Sequence, residues 1–231
     1  DYAEVRNIIF TDVNIYTDFS DGLAAIGTLA GEVNGYANVS GIAVINGNLN
    51  INRSSACDTV GAGGVIGECR TQDVMGNGNI SVTDCYNGAT LLASGSRSDL
   101  IYAGGIIGRV AKSACKSIAQ CVNTGMVQYD GYDAYGITAA ESDRGEYLST
   151  LTDSYFLASS GQLSLGVVTA VSDADMTSGS LPGNLSSTNW RAESGCYPVP
   201  AFCYQSSAAG LIYLSGLTLT FAEGETASGV K

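Results

Sequence analysis

Two short motifs recur along this chain in a fixed order, and they restrict its fold more than any other feature. Gly64-Val65-Ile66-Gly67 is followed some fifteen residues on by Val82-Thr83-Asp84-Cys85-Tyr86-Asn87-Gly88. Gly105-Ile106-Ile107-Gly108 repeats the first. Ile118-Ala119-Gln120-Cys121-Val122-Asn123, with Gly125, repeats the second. The second motif is traced five times, starting at Phe10, Ile42, Val82, Ile118 and Leu151, at intervals of 32, 40, 36 and 33 residues. A period of about 20 to 50 residues marks a solenoid, a propeller or an array.

The glycine motif precedes the middle copies, as Gly27-Thr28-Leu29-Ala30-Gly31, Gly63 to Gly67 and Gly104 to Gly108, with Gly136-Ile137-Thr138-Ala139 as a weaker fourth. A third short run follows each second motif: Asn48 to Ile51, Thr90 to Ala93, Met126 to Tyr129 and Gln162 to Leu165. Leu49 with Ile51, and Leu163 with Leu165, alternate with the period of two that a half-buried strand requires. Three strands per unit, separated by Gly, Asn and Ser turns, predict an all-β fold: a right-handed parallel β-helix (β-solenoid) of about four to five coils. Equivalent residues would then stack about 4.8 Å apart. The file Phe10, Ile42, Val82, Ile118 and Leu151 is expected to point inward, as is the file Val13, Ile45, Cys85, Cys121 and Ser154. Propeller blades have a similar length but four strands each. The chain carries neither Gly-His nor Trp-Asp signatures and no sign of ring closure, which favours the solenoid.

Charge narrows the partners. Twenty-two acidic side chains against ten basic ones leave a net charge of −12. Such a surface repels a nucleic-acid backbone or an anionic lipid face. No apolar run approaches the roughly 18 residues of a membrane span, so direct membrane insertion is not expected. The start, Asp1-Tyr2-Ala3-Glu4, lacks the basic region and apolar core of a signal peptide and reads as the interior of a longer pattern. The seven cysteines form no Cys-x-x-Cys pair and there is no histidine, so no ordinary zinc site is expected. Cys85 and Cys121 read as small apolar core residues. Cys196 and Cys203 are spaced to close a small disulfide loop.

The repeat fades after Val167, and Trp190, Tyr197, Pro198 and Phe202 gather near the end. An aromatic C-terminal cap over the last coil is the expected reading, because an open strand edge must be covered. Residues 1–203 would form the solenoid with its cap. Residues 204–231, where Leu217 to Phe221 alternate, would be a C-terminal strand or the start of a following β domain.

At Gly64 to Gly67 and Cys85-Tyr86-Asn87-Gly88 the chain resembles the GLUG-motif repeats of bacterial secreted and cell-surface proteins. The resemblance covers about residues 20–165 and is strongest over 61–127. Trp190 with Gly195-Cys196-Tyr197-Pro198-Val199 looks like the closing segment that often follows such repeats. Thr28 in place of Gly, and Ile45 and Ser154 in place of Cys, depart from the pattern. The resemblance implies an extracellular or surface β-solenoid, often in adhesin-like proteins, with no family catalytic residues.

Chemistry is sparse. Without histidine, Ser-His-Asp, Cys-His and His-metal mechanisms fall away. There is no Gly-Lys-Ser/Thr phosphate loop, and no cofactor is expected. Polysaccharide-cleaving β-helices use carboxylate pairs, for which Asp84 with Asp153, or Asp130, Asp133, Glu141 and Asp143, are candidates, and Arg109 and Lys112 would serve as bases. Acids that recur once per coil are more simply turn residues. The stretch Tyr129-Asp130-Gly131-Tyr132-Asp133-Ala134-Tyr135 is the candidate binding surface: its tyrosines, beside Asp130 and Asp133, would stack on sugars or hold a cation, although a Tyr-rich loop covering the core is the plainer reading. The expected function is a non-enzymatic repeat segment of a secreted or surface-anchored protein, an adhesin-like or structural scaffold whose partner is a surface protein or a glycan. A carbohydrate-binding module and a polysaccharide-cleaving enzyme are the alternatives.

Overall fold

The computed structural model describes residues 3–19, 23–53, 59–71, 79–95, 101–111, 114–130, 134–140, 151–160, 162–164, 167–204, 212–216 and 218–221. Nearly every regular element among them is a strand, and four sheets are built from parallel pairs. The chain visits these sheets in a constant order. Tyr36–Val44 lies in the first sheet and Gly47–Arg53 in the second. Thr59–Gly63 lies in the third and Ile66–Arg70 in the fourth. Asn79–Thr83 then returns to the first sheet and pairs parallel with Tyr36–Val44, as Thr90–Gly95 does with Gly47–Arg53 in the second. Four sheets, not three strands per unit, make the repeat. The extra one arises because the glycine motif is not one strand: Gly64-Val65 turns the chain from the third-sheet strand, which ends at Gly63, into the fourth-sheet strand, which begins at Ile66.

The first sheet bends within each repeat, and the bend sets the true register. Asn7, Gly41, Asp84, Gln120 and Asp153 all adopt φ between 44° and 62°. They occupy one position of successive repeats: Val5 pairs with Val39, Val39 with Val82, Val82 with Ile118 and Ile118 with Leu151. Asn and Asp tolerate the left-handed region best after Gly, which accounts for four of the five residues. The expected inward file is therefore right for Val82, Ile118 and Leu151. It continues to Val39 and Val5, not to Ile42 and Phe10. Phe10 pairs with Val44 and Ile42 with Ile8, in other files, so the file of Cys85, Cys121 and Ser154 continues to Ile42 and Ile8 and not to Ile45 and Val13, which pairs with Gly47 in the second sheet. Thr11-Asp12 misleads because Asp12 is also left-handed, at φ 54°, but belongs to the next bend, where it exchanges hydrogen bonds with the Asn46 side chain.

The third runs behave as their alternation predicts. Leu49, Leu91 and Val127 stack, as do Ile51, Ala93 and Tyr129, all buried in the main core. The fourth run does not join them: Leu163 is 45% exposed and bridges Tyr135 of the third sheet.

The two diagnostic motifs explain each other. Asn87 and Asn123 are fully buried, and the Asn87 amide donates to Asn123 Oδ1 at 2.8 Å. Asn123 donates to Gln162 Oε1 at 2.9 Å, and each Asn also donates to a carbonyl two residues on, Ala89 and Gly125. A buried amide survives only when its polar atoms are paired. Space for these amides comes from glycine: a Cβ on Gly64 would lie 2.4 Å from Asn87 Cγ, and one on Gly105 2.3 Å from Asn123 Cγ. Thr28 and Val44 are the corresponding pair one repeat earlier, where no amide has to be admitted. Gly67 serves backbone packing between the third and fourth sheets, since a Cβ there would lie 2.2 Å from Ile26 N.

The C-terminal aromatic segment is not a lid on the last repeat. It runs as a strap along the outer face of the first sheet. Ile9, Ala43, Tyr86, Val122 and Tyr155 form an outward file there, and Met176, Leu185 and Trp190 bury it. Trp190–Arg191 and Val199–Pro200 form a short antiparallel pair in the strap. Beyond it, Ile212–Ser215 and Thr218–Phe221 pair parallel with Ala3–Thr11 and Val13–Phe19. The chain's last described strands thus cover its first ones.

Candidate functional site

Alternation decides what the nominated tyrosine stretch can offer. Val127–Tyr129 turns Val127 and Tyr129 inward and Gln128 outward. Tyr129 is 3% exposed and packs in the core, so it is not a stacking surface. Asp130 is exposed and Tyr135 half-buried in the third sheet. Tyr132 and Asp133 lie outside the described residues, as do Glu141, Asp143 and Lys112.

The recurring acids hold the strap. Asp84 accepts from Asn189 Nδ2 at 3.1 Å and from the Trp190 indole at 3.2 Å. Gln120 takes the Ser186 amide at 2.7 Å and donates to the Asn184 carbonyl. Asp153 accepts from Asn184 Nδ2 at 2.9 Å. Burial pushes the Asp84 carboxyl above its usual range, opposed by the hydrogen bonds from Asn189, Trp190 and Thr83. Side chains on one repeat position thus clamp one passing segment, which their spacing in the sequence does not reveal. At Gly41 the row has no side chain. There a recess of about 290 Å³ opens between strap and sheet, lined by Asn7, Asp84, Asn189 and Phe202 among others.

A second polar cluster lies on the fourth sheet. Glu68 and Arg109 face each other across adjacent strands, with Arg109 Nη1 3.0 Å from Glu68 Oε1, and the guanidinium lies 5.5 Å from the Tyr102 ring centroid. Arg70 reaches the same carboxylate at 3.4 Å. Glu68 is fully buried, which makes Arg109 its charge partner rather than a base for an external substrate.

The cysteines divide by place. Cys69, Cys85, Cys115 and Cys121 are buried free thiols. The thiol of Cys69 is raised by its contact with Cys115 and by burial, and that of Cys121 by burial and by Cys85, so neither is a reactive thiolate. Cys196 and Cys203 are also free and do not close a loop, and burial pushes Cys203 up to about 12. Among the described residues, no three or more Cys, Asp or Glu side chains converge as metal ligands, and no helix is long and apolar enough to cross a membrane.

A further open feature is the outer face of the second sheet. Tyr16, Asn50, Leu92 and Gln128 form one outward file across four adjacent strands. Asn52, Ser94 and Asp130 flank it, and Ser94 Oγ donates to Asn52 Oδ1. Together they line a shallow depression of about 510 Å³. Tyr16 is 49% and Leu92 36% exposed. The third motif contains Asn50, Leu92 and Gln128, but only strand pairing shows that they share a face.

Comparison with protein-family models, with curated proteins and with solved structures finds no match for this chain.

Proposed function

We propose that the chain is a non-enzymatic, rigid repeat segment of a secreted or surface-anchored bacterial protein, an adhesin-like scaffold of the GLUG-motif kind. Its fold is then a right-handed parallel β-helix of about four to five coils. The constant order of sheets and the parallel return to the first one support the coil. Crossovers between parallel strands of one sheet are right-handed in about 98% of cases, which supports the hand.

One observation carries the reading: among the described residues, the recurring acids and the buried polar side chains of the sheets are engaged in holding the molecule together. Asp84 and Asp153 clamp the strap, Glu68 is neutralised by Arg109, and Asn87 and Asn123 brace successive repeats. In-register stacking with paired interior amides makes a stiff body, and stiffness suits a stalk or a display surface. A likeness in Gly64 to Gly67 and Cys85 to Gly88 supports the family and, through it, the extracellular location.

The test joins mechanics to chemistry. The chain is placed between two marker domains and pulled by single-molecule force spectroscopy, and is separately incubated with a panel of bacterial and plant polysaccharides. A high unfolding force with no product from any polysaccharide is expected. Turnover that disappears in Asp84→Asn would make it an enzyme and end the scaffold reading.

A further inference from the structure

We propose that the outer face of the second sheet binds an uncharged linear glycan laid across the strands, from Tyr16 over Asn50 and Leu92 to Gln128. The inference rests on the scaffold reading and gives its display surface a ligand class.

The geometry begins with register. Tyr16, Asn50, Leu92 and Gln128 stand opposite one another on successive parallel strands. Neighbouring positions are about 4.8 Å apart, so the file covers three spacings, about 14 Å. Their inward neighbours, Ile15, Leu49, Leu91 and Val127, sit in the core and hold the backbone of the file in place. An extended ligand would therefore meet a row of contacts that needs no rearrangement.

The chemistry of the row matches a sugar. A pyranose presents hydroxyls that donate and accept, and a C–H face that packs on an aromatic ring. Asn50 and Gln128 each supply both a donor and an acceptor, and Asp130 supplies an acceptor. Among the described residues the side chains of these three make no hydrogen bond. The half-exposed Tyr16 ring offers the stacking face and Leu92 an apolar step beside it.

Other ligand classes fit worse. A compact small molecule is normally buried over 70–90% of its surface, and this depression is open along its length. A stable protein interface needs about 800 Å² per partner with an apolar centre, whereas here Asn50, Asn52, Ser94, Gln128 and Asp130 interrupt the apolar side chains along the whole row. Nucleic acids and sulfated or uronic glycans meet Asp130 on a chain of net charge −12. An elongated, neutral, hydroxyl-rich chain remains.

The test is isothermal titration of the full chain with cellohexaose, xylohexaose, mannohexaose and a β-1,3-glucan hexamer, with heparin as the polyanion. Tyr16→Ala and the pair Asn50→Ala with Gln128→Ala probe the row. Tyr36→Ala, 55% exposed on the first sheet, is the control. Binding of at least one neutral hexamer is expected, weakened about tenfold or more by Tyr16→Ala and by the amide pair and unchanged in Tyr36→Ala. Emission from Trp190 should be the same in every variant, reporting an intact strap. No binding to any neutral hexamer, binding indifferent to both row variants, or preference for heparin would each overturn the proposal. The unfolding force and the absence of turnover would be untouched by those results, so the glycan assignment can fail while the scaffold reading stands.

Discussion

At the scale of single residues, much of the sequence bias is a consequence of stacking. A polar residue buried between stacked strands must find its partners within the stack, and Asn87 and Asn123 do this by passing a hydrogen bond from one repeat to the next. Replacing Asn87 by Ala leaves Asn123 Oδ1 and the Ala89 amide without their partner, and should cost about 1–3 kcal/mol in urea denaturation. Gly136 offers a cleaner case. All three nearest atoms to a Cβ built there belong to the Phe156 ring, the closest at 2.2 Å. Gly136→Ala should be strongly destabilising alone and markedly less so in a Phe156→Ala background, which removes all three of those atoms. A double-mutant cycle should return a coupling of about 0.5–3 kcal/mol, and strict additivity would separate the two residues.

The strap is the element whose behaviour can be isolated. Its docking depends on one buried indole and on polar contacts to three repeats. Trp190 is the only tryptophan, so its emission reports strap docking directly. Trp190→Ala should cost roughly 3–5 kcal/mol, since it empties a buried site and removes the donor to Asp84 Oδ1, leaving Asn189 on the other oxygen. Asp84 also makes the strap sensitive to pH. Because burial holds its folded-state value above the ordinary 3.8, its protonated form is the one favoured by folding. That contribution is complete below 3.8 and is lost as pH rises through the raised value. Asp84→Asn does not titrate. The denaturation midpoint of the wild type should therefore fall relative to that of Asp84→Asn as pH rises across this window, and parallel curves would show that Asp84 is not perturbed.

For the whole molecule, the arrangement of the ends matters most. Ala3–Thr11 would be an open parallel edge, and Ile212–Ser215 covers it. Unpaired edges recruit other strands. A chain ending at residue 204 should associate with increasing concentration in light scattering, whereas the full chain should not. If the shortened chain stays monomeric, the edge is protected by something other than these strands. The strap makes this closure reachable, because it carries the chain from Tyr155 in a late repeat back to Ile9 in the first.

Local chemistry wrote the repeat into the sequence. Glycines beside buried amides, left-handed Asp residues at bends and alternating apolar positions are demands of neighbouring backbone, and they recur wherever the same backbone recurs. That made the all-β parallel architecture legible, together with the files through Val82, Ile118 and Leu151 and through Leu49, Leu91 and Val127. Register in the first two copies was not legible, because Asp12 and Asp84 satisfy the same local rule at different bends. Which carboxylates face solvent and which hold the strap, that Tyr129 points inward while Tyr16 and Gln128 share an open face, and that the last strands cover the first were all settled by tertiary structure. Each depends on contacts between residues far apart in the chain, and no local spacing encodes them.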